Sequence, residues 1–239
     1  MITDNLIDYW PLYNNLDNFI SNKNPLQPYN GTVIFKENGA YFEGEVALKT
    51  TDNYNFLSNT DFTIGIELKN IVKYKADIGG ILVLGNGGSG VGGACFGLSS
   101  TENIGNNIIL WTGLGDSDNQ YIGALNNNQY NKIFITYNKT TQIIKGFLNG
   151  NKIFEKTGIS IKNTEFCIGG LLNSYSHPWF GFANGYYRNI AIYNKELSEE
   201  EIITFKYREP ISNYVKQHIY NIIKNNKLFQ KYCIPYEED

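Results

Sequence analysis

Residues 62–68, Phe-Thr-Ile-Gly-Ile-Glu-Leu, alternate large apolar side chains with small or polar ones. A period of two is the signature of an extended strand with one face buried, because successive side chains point to opposite faces. The same reading fits short runs at 32–35, 40–42, 80–84, 94–98, 107–111, 132–137, 143–148, 166–168 and 185–193. Turn signals separate them: Asn86-Gly87-Gly88, Asn138-Lys139-Thr140-Thr141 and Asn149-Gly150-Asn151. The runs 143–148 and 152–155 flank Asn149-Gly150, the pair that suits a two-residue type I′ turn, and predict a tight hairpin. Many short strands with no long helix between them predict a β-sandwich or jelly roll. Composition agrees: 42% hydrophobic and 18% charged residues can bury a sizeable core in 239 residues. The abundant Asn and Gly tolerate the positive φ that tight turns require.

The pattern changes near Ser198. Ser198 followed three residues later by Glu201 is a capping box, which predicts a short helix to about Tyr207. Pro210 then permits a new start. Ile211, Tyr214, Val215, Ile219, Ile222 and Ile223 recur at helical spacing, so 211–230 is expected to be an amphipathic helix. Lys216, Lys224 and Lys227 lie elsewhere on its surface, and the tail Tyr236-Glu237-Glu238-Asp239 reads as solvated. The expected division is a sandwich over 1–207 and a helical extension with an acidic tail over 208–239. The stripe carrying Ile211, Val215, Ile219 and Ile222 must be buried, either on its own sandwich or on another protein subunit.

Several partner classes are disfavoured. Net charge is −3 with a pI near 5.5, and no basic patch rises above background, so no nucleic-acid partner is expected. Cys95, Cys167 and Cys233 are odd in number and widely spaced, which suits neither a disulfide framework nor a metal cluster. With 2 His in all, a histidine-based metal site is disfavoured. The stretch MITDNLIDYWPLYNN has no basic n-region and no apolar h-region, so no signal peptide is expected. No apolar run approaches the ~20 residues of a membrane span. The expected location is a virion, or the outside of a cell reached by a signal-independent route.

Segments spread along the chain resemble, in order, those of a known family. They are Leu6-Ile7-Asp8-Tyr9-Trp10-Pro11-Leu12, Asn30-Gly31-Thr32, Ala40-Tyr41-Phe42-Glu43-Gly44, Asp61-Phe62-Thr63-Ile64-Gly65-Ile66, Ile133-Phe134-Ile135-Thr136-Tyr137, Gly146-Phe147-Leu148-Asn149-Gly150, Cys167-Ile168-Gly169-Gly170 and the closing stretch from Asn184 to Ile202. Together they resemble a concanavalin A-like, laminin-G-type jelly-roll domain over roughly residues 4–207. The resemblance implies an all-β, two-sheet jelly-roll sandwich with a C-terminal α-helical extension. One departure stands out: where the family often has Ile-Asp-Asp-Val-Arg in the closing strand, this chain has Tyr187-Arg188-Asn189-Ile190-Ala191, so an acidic pair is lost.

That fold hosts lectins, glycanases, adhesion modules and structural domains, so function must come from the residues. Glycanases of the fold often carry an E-x-D-x-E strand, with two carboxylates roughly 5–5.5 Å apart for retention. No such triplet occurs. Glu43-Gly44-Glu45 places two acids on one face but lacks the middle Asp. No Gly-x-Ser-x-Gly elbow occurs, and Ser89 sits in a glycine-rich turn. The run 85–93 lacks the Lys-Ser/Thr ending of a phosphate-binding loop. Cys95 and Cys167 fall in predicted strands, as small buried hydrophobes do. Asp116, Asp118 and Asn119 are the one candidate metal set. Alternating oxygen ligands in a loop can hold Ca²⁺, which laminin-G-type domains often carry; the other reading is a plain Asx-rich turn.

The densest aromatic stretch is 172–187. Tyr186 and Tyr187 must face opposite sides of a sheet, so one is expected in the core, together with Phe182. His177 and Trp179, beside Pro178, are not absorbed by the fold. They are candidates for stacking and hydrogen bonding to a sugar, with Trp111 as a second aromatic, against the reading of a loop that covers the sandwich edge. No motif demands a cofactor. The expectation is a non-catalytic sandwich module that binds or decorates, a component of a virus or phage particle whose loops contact glycans. The alternative is a cell-surface lectin, and a glycoside hydrolase is disfavoured by the missing acids.

Overall fold

The computed structural model describes residues 4–20, 24–52, 54–75, 78–84, 96–101, 107–111, 120–159, 166–170 and 180–207. The chain divides into two compact units, Met1–Lys206 and Tyr207–Asp239, and the strands and helix of the described residues belong to the first. In chain order the strands are β1 (Leu6–Trp10), β2 (Leu26–Asn30), β3 (Ile34–Lys36), β4 (Gly39–Phe42), β5 (Ala47–Thr50), β6 (Phe62–Tyr74), β7 (Ile78–Leu84), β8 (Phe96–Thr101), β9 (Asn107–Trp111), β10 (Gln120–Ala124), β11 (Asn131–Asn138), β12 (Ile143–Leu148), β13 (Asn151–Lys156), β14 (Phe166–Ile168) and β15 (Phe180–Tyr193). A short helix, α1 (Glu199–Ile203), follows.

The fold is all-β, a sandwich of two layers. In the first, β15 takes β4 and β1 along one side and β6 along the other, and β11, β12 and β13 continue outward from β6. The second runs β2, β5, β14, β7, β8, β9, β10. The layers are hydrogen-bonded into one network because Phe180–Phe182 of the long β15 run parallel to Ile78–Gly80 of β7. Side chains from both layers meet between them. Trp10 of β1 stacks on Phe166 of β14 at 5.9 Å, and both belong to the cluster that holds Ile64, Leu82, Ile108 and Ile168.

Alternation along β6 sends Phe62, Ile64, Ile66 and Leu68 into this core. The sequence predicts a half-buried strand, yet Thr63 is fully buried and Glu67 is 3% exposed. For Glu67 the partners are Arg188 and Asn189 of β15 itself; for Thr63 the cause lies after β15. Residues 195–205 turn back over the outer face of the first layer: Thr63 Oγ1 donates to the Lys195 carbonyl and accepts from Leu197 N–H. Phe205 meets Phe134 edge-on at 4.8 Å. The capping box of α1 forms on both sides, with Ser198 Oγ accepting from Glu201 N–H and the Glu201 carboxylate accepting from Ser198 N–H.

The hairpin of β12 and β13 turns on Asn149 and Gly150, with φ of 52° and 89°, the two left-handed residues that a type I′ turn needs. Strands β2, β5 and β10 carry no clear sequence signal. Pro28 lies in β2, which among the described residues pairs with β5 alone; an edge strand is where a residue lacking N–H is tolerated. Cys167 is buried in β14 with Ala47 and Phe182, as expected of a small hydrophobe.

Candidate functional site

The outer face of the first layer is built from side chains that alternation directs away from the core. In β15, Tyr187 points inward and stacks on Phe42 at 4.3 Å. Tyr186 therefore points outward, where its ring meets that of Tyr41 at 4.7 Å. The register aligns Tyr41, Tyr186 and Lys69 in one row across β4, β15 and β6. One step further, Arg188, Glu67 and Lys132 form a second row across β15, β6 and β11. Directly opposed residues share a face, with Cβ atoms about 5 Å apart.

The turn between β3 and β4 closes over the first row. Glu37 and Asn38 have φ of 51° and 56°, a tight reversal that projects residues 36 and 37 over the face. Lys36 Nζ sits 3.5 Å from the centre of the Tyr41 ring. Glu37 accepts from Lys69 Nζ at 2.8 Å and from Tyr186 Oη at 3.1 Å. These donors, Lys69 first, hold the Glu37 carboxyl below the usual carboxylate range. Burial, reinforced by the Glu37 carboxylate, pushes the Tyr186 phenol up. Tyr130 Oη donates to the Glu37 carbonyl. Its ring crosses Gly39, where a Cβ would fall 2.3 Å from Tyr130 Oη, so only glycine admits it.

The second row centres on a buried carboxylate. Glu67 Oε2 accepts from Arg188 Nε at 2.7 Å and from Asn189 Nδ2 at 2.7 Å. The Arg188 guanidinium lies 3.8 Å from the centre of the Tyr130 ring. Asn189 is fully buried at φ 53°, inside the bulge of β15 between Arg188 and Ala191. Its Oδ1 accepts from both Tyr9 Oη and Tyr13 Oη. Burial, then Tyr13, pushes the Tyr9 phenol far up. The face thus offers tyrosine rings, fixed cations and carboxylates within two adjacent rows. Such a combination suits a polyhydroxylated ring with an apolar face.

The candidate residues of the sequence analysis are not among the described residues of these two rows. Trp111 ends β9 opposite Gly97 of β8. His177 and Trp179, the Ca²⁺ candidates Asp116, Asp118 and Asn119, and the helix residues Ile211, Val215, Ile219 and Ile222 fall outside the described residues. Glu43 and Glu45 stand in a turn at Gly44, φ 79°, rather than on one strand face, and Glu45 is paired with Lys75. Tyr41, Lys69, Glu67, Tyr130 and Arg188 were not singled out. The sequence marks one of them, Arg188, through the departure Arg188-Asn189 in the closing strand, where the resembled family has two acids. Among the described residues, no group of three or more His, Cys, Asp or Glu could hold a metal ion, and no helix is long and apolar enough to cross a membrane.

No protein-family model matches the chain, and no curated protein matches its sequence. Solved structures do share the fold. A mutant of Trypanosoma rangeli sialidase displaying trans-sialidase activity superposes with a TM-score of 0.65 at 16% identity, over 85% of this chain and 33% of that one. A structure of botulinum neurotoxin type C, described as dependent on two ganglioside molecules for cell entry, gives 0.60 at 16% identity, over 84% and 50%. Domain 4 of the arabinanase AbnA from Geobacillus stearothermophilus, in complex with arabinotriose, gives 0.59 at 13% identity, over 83% and 96%. The chain spans about a third of the length of the sialidases it matches. At these identities the likeness is one of fold alone, a β-sandwich. It corrects one expectation. The missing E-x-D-x-E strand pointed to a protein without catalytic activity, but sialidases stand among the structures that share this fold, so its absence does not set the chain apart from enzymes.

Proposed function

We propose that this sandwich binds a glycan on the outer face of its first layer. The observation that carries the reading is the paired ring set of Tyr41 and Tyr186, 4.7 Å apart and flanked by Lys36, Lys69 and Glu37. A sugar laid on Tyr41 displaces Lys36, an exposed side chain whose cation–π contact is worth about 0.5–1 kcal/mol. Lys69 and Glu37 then supply a donor and an acceptor for ring hydroxyls. Support comes from solved structures of the same fold bound to arabinotriose and, in a botulinum neurotoxin binding domain, to SialylT.

Titration of the full chain with lactose, 3′-sialyllactose and arabinotriose tests the reading. Binding that is lost in Tyr41→Ala supports this face. Loss in Trp179→Ala alone moves the site to the loop with His177 and Trp179, and absence of binding to any glycan overturns it. The same incubations are read for released monosaccharide.

Residues 208–239 carry a companion proposal, docking on other protein subunits of an assembly such as a virus or phage particle. The helical spacing of Ile211, Val215, Ile219 and Ile222 supports it. Light scattering is expected to show a multimer for the full chain and a monomer without that segment; two monomers would sink the idea.

A further inference from the structure

Arg188 engages Glu67 through Nε alone, and its two terminal amino groups have no hydrogen-bond acceptor among the described residues. Yet the guanidinium is fixed in place. Glu67 holds one edge at 2.7 Å, the Tyr130 ring lies 3.8 Å away, and the side chain is 14% exposed. A guanidinium anchored in this way still presents two parallel N–H groups at its end, spaced to match the two oxygens of a carboxylate. The neighbourhood favours an anion as well. Lys36, Lys69, Lys132 and Arg188 face only Glu37 and Glu67 in these rows, on a chain whose net charge is −3. A local excess of positive charge on an acidic protein draws an acidic ligand to that spot.

We infer that the glycan bound here carries a carboxylate and that Arg188 receives it. This rests on the glycan-binding reading above and adds the class of sugar. The sugar body lies over Tyr41, which Tyr186 backs at 9% exposure, and its acid group reaches the terminal amino groups of Arg188, two residues from Tyr186 along the same face of β15. Lys69, opposite Tyr186, contributes charge at longer range. A free carboxylate in a glycan comes from a sialic acid or from a uronic acid, and both present the same two oxygens.

Calorimetric titration of the full chain with matched pairs tests the inference: 3′-sialyllactose against lactose, and tri-galacturonic acid against its methyl ester. At least one acid is expected to bind about tenfold or more tightly than its neutral counterpart, with a preference that shrinks as salt is added. Binding of the sialylated ligand alone identifies a sialic acid, binding of the galacturonate alone a uronic acid, and binding of both a site for the carboxylate itself. Arg188→Lys keeps a charge beside Glu67 but loses the fork, and is expected to cut the preference for the acid to less than about threefold. Lys69→Gln, which leaves the Glu67 pair intact, is expected to reduce it by about twofold. Neutral counterparts that bind as tightly as the acids overturn the inference and leave the glycan reading standing. Failure of all four ligands to bind overturns the inference, and failure of arabinotriose as well overturns the glycan reading with it.

Discussion

Arg188 of β15 lies directly opposite Glu67 of β6, and its Nε reaches the Glu67 carboxylate at 2.7 Å, where the Glu67 side chain is only 5% exposed. Two charges removed from water so completely hold each other in place, and breaking such a pair costs more than the pair contributes. Arg188→Met is expected to lower unfolding free energy by about 3 kcal/mol, because among the described residues Asn189 alone remains as donor to the stranded carboxylate. Glu67→Met combined with Arg188→Met is expected to recover most of that loss. Urea unfolding monitored by tryptophan fluorescence checks both. A single variant as stable as the parent would show that Glu67 has other access to water.

Asn189 separates backbone from side-chain effects. It combines φ 53° with three side-chain hydrogen bonds, to Glu67, Tyr9 and Tyr13. Asn189→Ala loses the bonds and also places a Cβ in the left-handed region without a compensating polar group. Asn189→Gly loses the same bonds but fits the backbone. The alanine variant is expected to be the less stable of the two by about 1 kcal/mol, with both several kcal/mol below the parent. Equal stabilities would mean that the bulge relaxes when the side chain is gone. Thermal unfolding of the two variants side by side reads the difference.

Gly150 tests the hairpin. Its φ of 89° is open to glycine and strained for any other residue, so Gly150→Ala is expected to cost about 1–2 kcal/mol. Asn149 does more than turn the chain: its Oδ1 accepts from Lys132 N–H at 2.9 Å, and its Nδ2 donates to Asn131 Oδ1. Asn149→Gly is therefore expected to destabilise by about 1 kcal/mol although glycine suits the turn. Chemical denaturation of both variants checks these values, and a neutral Asn149→Gly would show that the tie to β11 is dispensable.

Features encoded by near neighbours were legible in the sequence. The Asn149-Gly150 turn, the Ser198 capping box and the inward–outward split of Tyr187 and Tyr186 each depend on residues a few positions apart. Strands β2, β5 and β10 were not legible. LQPYN and ALKT have little apolar alternation, and they hold together through partners that only the fold supplies. The candidate face was hidden for the same reason. Glu37 and Tyr186, which share a hydrogen bond, stand 149 positions apart, and neither is unusual in its own segment. The burial of Glu67 is not readable from β6 alone, because its partners Arg188 and Asn189 come from the closing strand. In sequence, Arg188-Asn189 reads only as the loss of an acidic pair; its meaning, a buried partner for an acid on the neighbouring strand, comes from the register.

The tyrosines give the fold a defined alkaline limit. Tyr9, Tyr54, Tyr187 and Tyr193 are at most 2% exposed, and burial pushes all four phenols well above the ordinary value of 10.0. For Tyr54, the hydrogen bond to Asp8 adds to the shift. Above pH 10 the unfolded chain releases these protons while the folded chain keeps them. The folded state then binds more protons than the unfolded one, so stability falls as pH rises and is fully present below the unfolded value. Each phenol contributes a loss of about 1.4 kcal/mol per pH unit, and four together about 5–6. Unfolding is expected as one cooperative step above pH 10, with the phenolate absorbance of the buried tyrosines rising in the same step as the loss of sheet circular dichroism. Ionisation of all tyrosines near pH 10 with the sheet intact would show that these phenols are not sealed from solvent. Tyr54→Phe, which removes one of the four and leaves Asp8 its bond from Asn18, is expected to make that fall less steep by about a quarter, at some cost in stability at neutral pH.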